Sequence, residues 1–242
     1  MGGNLSSDQR EMLLSATRLL QAMVDVISSS GWLSLALLAM EVCQMVIQGM
    51  WERDSMLLQL PHFTKELAKR CQENPGKNIE TVFDLVEMQD DERRELLQTS
   101  DEQLLDIVRF CNHFPNIDMT YEVLDNDKVT AGRNMVLQVT LERDLVGRTE
   151  LGPVDAPRYP KTKEEGWWLV VGDTKTNQLL AIKRVSLQRK SKVKLDFAPA
   201  KAGKKTYTLY FMCDSYLGCD QEYTFTVDVK EAAGPDEDSG EE

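Results

Sequence analysis

An α+β chain of several domains is predicted: an N-terminal helical bundle and a helix-loop-helix unit, followed by an immunoglobulin- or fibronectin-III-like β-sandwich. Three observations predict it. Apolar residues recur at helical spacing as far as Pro115. After Pro115 they alternate at strand spacing almost to the end. The 242 residues are 42% hydrophobic, enough for a sizeable core. The divisions expected are 1–56 for the bundle, 57–115 for the helix-loop-helix unit, 116–231 for the sandwich and 232–242 for a disordered acidic tail.

The first helix is expected from Ser6 or Ser7, where Ser6 and Gln9 fit a capping box. Met12, Leu13, Ala16, Leu19, Leu20, Met23, Val24 and Ile27 form its apolar stripe, and Gly31 closes it. A second helix spans Trp32 to about Trp51 and is apolar nearly all round, so two helices alone cannot cover it. Glu41, Gln44 and Gln48 interrupt that segment, which argues for a buried helix and against a membrane span.

Short helices follow. Thr64 opens one carrying Leu67, Ala68 and Cys71, Asn74-Pro-Gly-Lys turns the chain, and Ile79 to Val86 builds the next. Asp90 and Asp91 begin another, and Ser100 with Gln103 forms a capping box for the last. Such units sometimes touch a nucleic-acid backbone; simple packing is the other reading.

Seven strands are expected near 117–124, 135–142, 166–172, 179–187, 192–197, 206–213 and 222–230, separated by turn residues such as Asp125-Asn-Asp and Gly203. Trp167 and Trp168 fall on the third strand, where alternation lets only one of them face an inter-sheet core. Tyr207 is placed for a tyrosine corner. No cysteine pair bridges the sheets, so an antibody-type disulfide is excluded.

The chemistry is sparse. Net charge is −12, which disfavours nucleic-acid binding over the whole surface. The five cysteines are scattered without a C-x-x-C pair, reading as free thiols rather than a zinc or redox site. The opening residues lack the charged and apolar regions of a signal peptide. Gly76-Lys77-Asn78 and Gly203-Lys204-Lys205 both fail the phosphate-loop pattern. Asp101-Glu102-Gln103 resembles a helicase box but opens a helix behind a serine cap. His62 and His113, each beside a phenylalanine, read as structural. Cys213 to Asp220 reads as a tight turn between the last two strands.

One charge feature stands out. From Thr174 to Leu195 there are seven basic residues and no acidic one: Lys175, Lys183, Arg184, Arg189, Lys190, Lys192 and Lys194. The last six are the candidate surface for an acidic partner or RNA backbone; solvated faces of two neighbouring strands are the alternative. Ser239, in Ser-Gly-Glu-Glu, fits an acidophilic kinase site.

Several stretches together resemble a known family. Gly2 to Gln21 is similar to the opening of a Sec63-type unit. Gln59-Leu-Pro-His-Phe63 is similar to its entry into a helix-loop-helix domain, and Phe110-Cys-Asn-His-Phe-Pro-Asn-Ile117 to its junction with the sandwich. Glu165-Gly-Trp-Trp-Leu-Val-Val-Gly-Asp173 and Tyr207 to Asp220 look like its sandwich signatures. The resemblance covers essentially the whole chain and is to the C-terminal Sec63 units of the large two-cassette DExH-box RNA helicases of the U5 snRNP.

That resemblance implies a nuclear, non-catalytic protein-docking module of a helicase that unwinds U4/U6 snRNA in pre-mRNA splicing. It implies contacts with other spliceosomal proteins, above all the U5 scaffold, and with the helicase cassettes of the parent chain. No RecA-like motor is present, so the ATP and magnesium of such a parent have no site here and the segment is not expected to be an enzyme. Nor is the J domain or membrane span of the translocation protein present, so no membrane role is expected. An RNA-contacting module, or the corresponding unit of a transcription-coactivator or ribosome-rescue helicase, is the alternative.

Overall fold

The structure, a computed structural model, describes residues 2–234, with side chains from Ser6 onward. Helix α1 (Gly2–Ser29) begins earlier than predicted, so Ser6 lies inside it rather than at its cap. Gly31, at φ 75°, turns the chain into α2 (Leu33–Gln48). Trp32 sits at the α2 N-cap position without a capping side chain. The missing partner comes from far along the chain: Ser34 N donates to Asn177 Oδ1 (2.9 Å) and Leu33 N to Asn177 O (3.2 Å). Gly49, in the left-handed region at φ 62°, ends α2 by donating its N–H to the last carbonyls.

After a 3-10 turn (Met56–Gln59) come α3 (Lys65–Gln72), α4 (Val82–Glu87), α5 (Asp90–Leu97) and α6 (Asp101–His113). Their starts follow the sequence closely. Thr64 caps α3, and Thr81–Asp84 and Ser100–Gln103 form reciprocal capping boxes on α4 and α6.

Seven antiparallel strands make two sheets: β1 (Ile117–Val123), β2 (Met135–Arg143) and β5 (Lys190–Phe197) in the order β1-β2-β5, and β3 (Trp167–Asp173), β4 (Gln178–Val185), β6 (Gly203–Cys213) and β7 (Gln221–Val229) in the order β4-β3-β6-β7. One core runs between the sheets and on into the short helices, including Leu137, Trp167, Phe211, Phe110 and Leu85. Tyr207 packs edge-on against Phe197, 5.0 Å between ring centroids.

The other face of the four-stranded sheet is covered too. Trp168, Val170, Tyr210 and Met212 join Val24, Ile27, Leu33 and Met40 of the helical hairpin in a second core. Both tryptophans are therefore buried, each at 1% exposure, because both faces of β3 are covered. Only part of the predicted α1 stripe is used: Val24 and Ile27 are buried, while Met12, Leu19 and Met23 remain exposed.

The hairpin lies very close to the sheet at Gly172, where an added Cβ would stand 2.4 Å from a Leu33 methyl. Gly172→Val is expected to force Leu33 out of its slot, costing about 1–3 kcal/mol. Urea unfolding reads that loss; an unchanged midpoint would show that α2 does not need this close approach.

Candidate interaction surfaces

The basic run from Thr174 to Leu195 does not form one patch, because β4 and β5 belong to different sheets. Arg184 faces the helical hairpin: its guanidinium lies 4.2 Å over the Trp168 ring and bonds Asp214 Oδ2 at 3.0 Å. It is a packing residue. Lys190 pairs with Glu142 at 3.0 Å across β2 and β5. Lys192 and Lys194 alternate with inward residues on the outer face of the three-stranded sheet, opposite Thr140 and Gln138, and make no ion pair among the described residues. Lys183 and Arg189 are exposed around the β4–β5 connection, and Lys175 lies in the β3–β4 turn. Lys175, Lys183 and Arg189 also make no ion pair among the described residues. Lys192 and Lys194 form a short stripe on β5, an edge strand, where lysines also discourage edge-to-edge pairing. Ser239 lies outside the described residues.

The short helices are poorly suited to a phosphate backbone. Residues 57–115 carry twelve carboxylates against seven Lys and Arg. Lys77, in the α3–α4 turn, is held by Asp84 at 3.2 Å and Glu87 at 2.8 Å, and those hydrogen bonds raise its pKa. Each histidine has an acidic partner: His62 Nε2 meets Asp106 Oδ2 at 2.8 Å, and His113 Nδ1 meets Asp155 Oδ2 at 2.9 Å.

Burial pushes the Cys43 thiol up to about 12 and those of Cys71 and Cys111 to about 11, and it raises Cys213 and Cys219 as well. All five stay protonated at neutral pH, which removes a thiolate nucleophile from consideration. Among the described residues no group of three His, Cys, Asp or Glu is placed to hold a metal ion, and no helix is long and apolar enough to cross a membrane.

The most heavily bonded element is the β6–β7 connection, residues 214–220, which joins every part of the chain. Three glutamines grip its backbone. Gln44 Nε2 donates to Cys213 O (2.8 Å) and to the Asp220 carboxylate. One turn on, Gln48 Nε2 donates to Ser215 O (2.8 Å). From the 3-10 turn, Gln59 donates to Leu217 O (2.8 Å) and accepts from Leu217 N (3.1 Å). Asp214, 1% exposed, receives Lys163, Arg184, Gly166 N and Ser215.

Tyr216 ties in a further segment. Its hydroxyl accepts from Asp155 N (2.8 Å), and its ring meets Phe110 and Phe114 edge-on. The tyrosine that fastens a distant backbone is thus Tyr216. The predicted tight turn is present, but it serves as a keystone between helices and sheets. The available signal was three glutamines at 44, 48 and 59 in otherwise apolar surroundings.

The Sec63 Brl domain family profile matches residues 2–226. The DExH-box ATP-dependent RNA helicase DExH12 of Arabidopsis thaliana is 78% identical over 98% of this chain and 11% of its own length. The U5 small nuclear ribonucleoprotein 200 kDa helicase of Homo sapiens is 55% identical over 96% of this chain, again 11% of its length. The activating signal cointegrator 1 complex subunit 3-like protein of Dictyostelium discoideum is 44% identical over 92% of the chain and 10% of its own. The chain spans about a tenth of the length of the curated relatives it matches.

Proposed function

The chain belongs to the Sec63 Brl domain family, and from that membership we propose that it is a non-catalytic protein-interaction and regulatory module of a spliceosomal ATP-dependent RNA helicase. The parent would act in the nucleus within the U5 particle, unwinding U4/U6 snRNA, with ATP and magnesium held by its motor. The sandwich would dock other spliceosomal proteins, above all the U5 scaffold. Greater identity to the U5-type helicase than to the cointegrator subunit favours the splicing context.

The observation that carries this reading is the glutamine lock. It joins hairpin, short helices and sheets into one body, while α1 and α2 turn Met12, Leu19, Met23, Val26, Leu35 and Leu38 outward uncovered. A rigid body with an uncovered apolar helix face suits a platform seated against its own helicase cassettes. The division at 56/57 and 115/116 follows the change from hairpin to short helices to strands. The strand order supports a fibronectin-III-like sandwich, since the fourth strand pairs with β3 rather than extending the sheet of β1 and β2.

An RNA-contacting role has one observation in its favour, the unpaired Lys192 and Lys194. Affinity capture from nuclear extract, with and without nuclease, separates the readings. Nuclease-resistant recovery of U5 proteins is expected. Recovery that disappears with nuclease, and returns in the untreated extract only at low salt, would replace docking by RNA contact on β5.

A further inference from the structure

The β2–β3 connection is the longest in the chain, running from Asp144 to Gly166 without regular structure. Connections of this length in a packed chain are usually functional or disordered. This one is neither slack nor buried. Pro153, Pro157 and Pro160 stiffen its middle, and bonds from every side hold it: His113 and Tyr216 on Asp155, Arg10 Nη2 on Pro160 O (2.9 Å), and the Tyr159 hydroxyl on Thr17 Oγ1 (3.2 Å). Between this strap and α6 lies a cleft of about 660 Å³, within the roughly 300–1,000 Å³ typical of ligand sites. Gln59, Pro61 and Pro157 also line a separate recess of about 160 Å³ bordered by His62, Phe63 and Arg158.

We propose that this cleft between α6 and the proline-stiffened strap is a docking groove for a short acidic peptide segment with an apolar anchor, contributed by a partner protein. The apolar half of that assignment comes from the floor, where Phe110, Val154 and Tyr159 face the space with the prolines. The acidic half comes from the rim. Arg109 and Lys161 border it in a chain of net charge −12; Arg158, nearby, is already bonded to Gln48 O at 3.2 Å. The two carboxylates of the cleft already accept hydrogen bonds from within the fold, Asp106 from His62 and Asp155 from His113, whereas the two cations have little or no partner. Lys161 makes no ion pair among the described residues, and Arg109 is 74% exposed with only a 3.5 Å contact to Asp106. Cations of this kind gain most from a ligand that brings its own carboxylates. A strap held from several sides also lowers the ordering cost of binding.

A nucleic acid fits less well. The cleft's two cations, Arg109 and Lys161, do not form a track, and the aromatic side chains lie in the floor rather than standing as an exposed stacking platform. The groove rests on the interaction-module reading and supplies the chemical class of one partner for it.

The test is selection of a random 12-residue phage-displayed library on the whole chain. Fluorescence polarisation of the selected peptides, and of labelled oligouridine as a rival probe, would follow. Acidic sequences with an apolar pair are expected, weakened about tenfold or more by Arg109→Glu with Lys161→Glu. Lys192→Glu with Lys194→Glu, on the far sheet, is expected to leave them bound. All four positions are exposed, and equal melting temperatures would confirm intact folds.

No enrichment, enrichment of non-acidic sequences, or binding indifferent to the groove variant overturns the proposal. So does oligouridine binding lost with that same variant, which would make the cleft an RNA site. Failure here alongside nuclease-resistant capture of U5 proteins would leave the module reading standing without this groove.

Discussion

Arg143→Leu is expected to destabilise the chain by about 3–5 kcal/mol, the range for breaking one side of a buried ion pair. Arg143 ends β2 and Glu165 lies two residues before the start of β3, so their pairing closes the base of the strap that walls the cleft. Their side chains are 1% and 2% exposed. Trp167 Nε1 donates to Glu165 Oε1 at 2.6 Å, and Arg143 Nη2 reaches Leu187 O at 3.3 Å. Arg143 Nε, however, has no hydrogen-bond partner among the described residues.

Removing the guanidinium leaves a carboxylate in the core with only an indole to satisfy it. Glu165→Gln is expected to cost nearly as much, because it leaves the buried cation unpaired instead. Replacing both by apolar residues of similar volume is expected to recover most of the loss, since the pair's own desolvation is then avoided. Urea unfolding of the two singles and the double closes a cycle with strong coupling. Additive losses below about 1 kcal/mol each would mean that water reaches the pair and that it is no staple.

Much of this architecture is legible in local sequence, and the places where legibility fails share a cause. Thr64 and Ser100 announce their helices because capping is a three-residue affair, whereas the Thr81–Asp84 box on α4 was not read from the sequence. All seven strands fall where the sequence reading places them, with ends displaced by a few residues, although β3 is a continuous apolar run rather than an alternating one. What local pattern does not contain is which sheet a strand joins. Lys183 to Lys194 therefore read as one basic surface although β4 and β5 part company, and Arg184, exposed by its charge alone, turns out to sit on Trp168.

The burial of both Trp167 and Trp168 was equally hidden, because it needs the helical hairpin to cover the second face of β3. The glutamine lock is the clearest case. Gln44 and Gln48 are conspicuous as polar interruptions of α2, yet their partners lie more than 160 residues away. The cleft has no signature at all, since its strap carries neither periodicity nor a motif, only prolines.

The lock also carries a charge whose titration can be followed. Asp220 Oδ1 accepts from Cys213 N at 2.7 Å, and Gln44 Nε2 lies 2.8 Å from Oδ2. Burial dominates over these bonds and pushes the Asp220 carboxyl up to about 6, with the nearby Glu41 charge adding to the rise. The sign follows from proton binding. Between about pH 4 and 6 the folded chain holds a proton on Asp220 that the unfolded chain has released, so stability from this group is full below pH 4 and is lost as pH rises through 6. At 1.36 kcal/mol per pKa unit the swing is up to about 3 kcal/mol.

Asp220→Asn removes the titration but sets an amide nitrogen against Gln44 Nε2, a conflict that adds a fixed, pH-independent cost. The diagnostic is therefore a slope and not an offset. Relative to Asp220→Asn, the unmodified chain is expected to lose stability steadily from pH 4 to 6.5 in paired urea titrations. Parallel curves across that range would mean that Asp220 titrates as an ordinary solvated carboxylate, and that Gln44 is held by the Cys213 carbonyl alone. A Gln44→Leu variant distinguishes these directly. It removes the amide that bonds Asp220, so burial acts with less opposition, and the falling limb is expected to move to higher pH only if the carboxylate is truly enclosed.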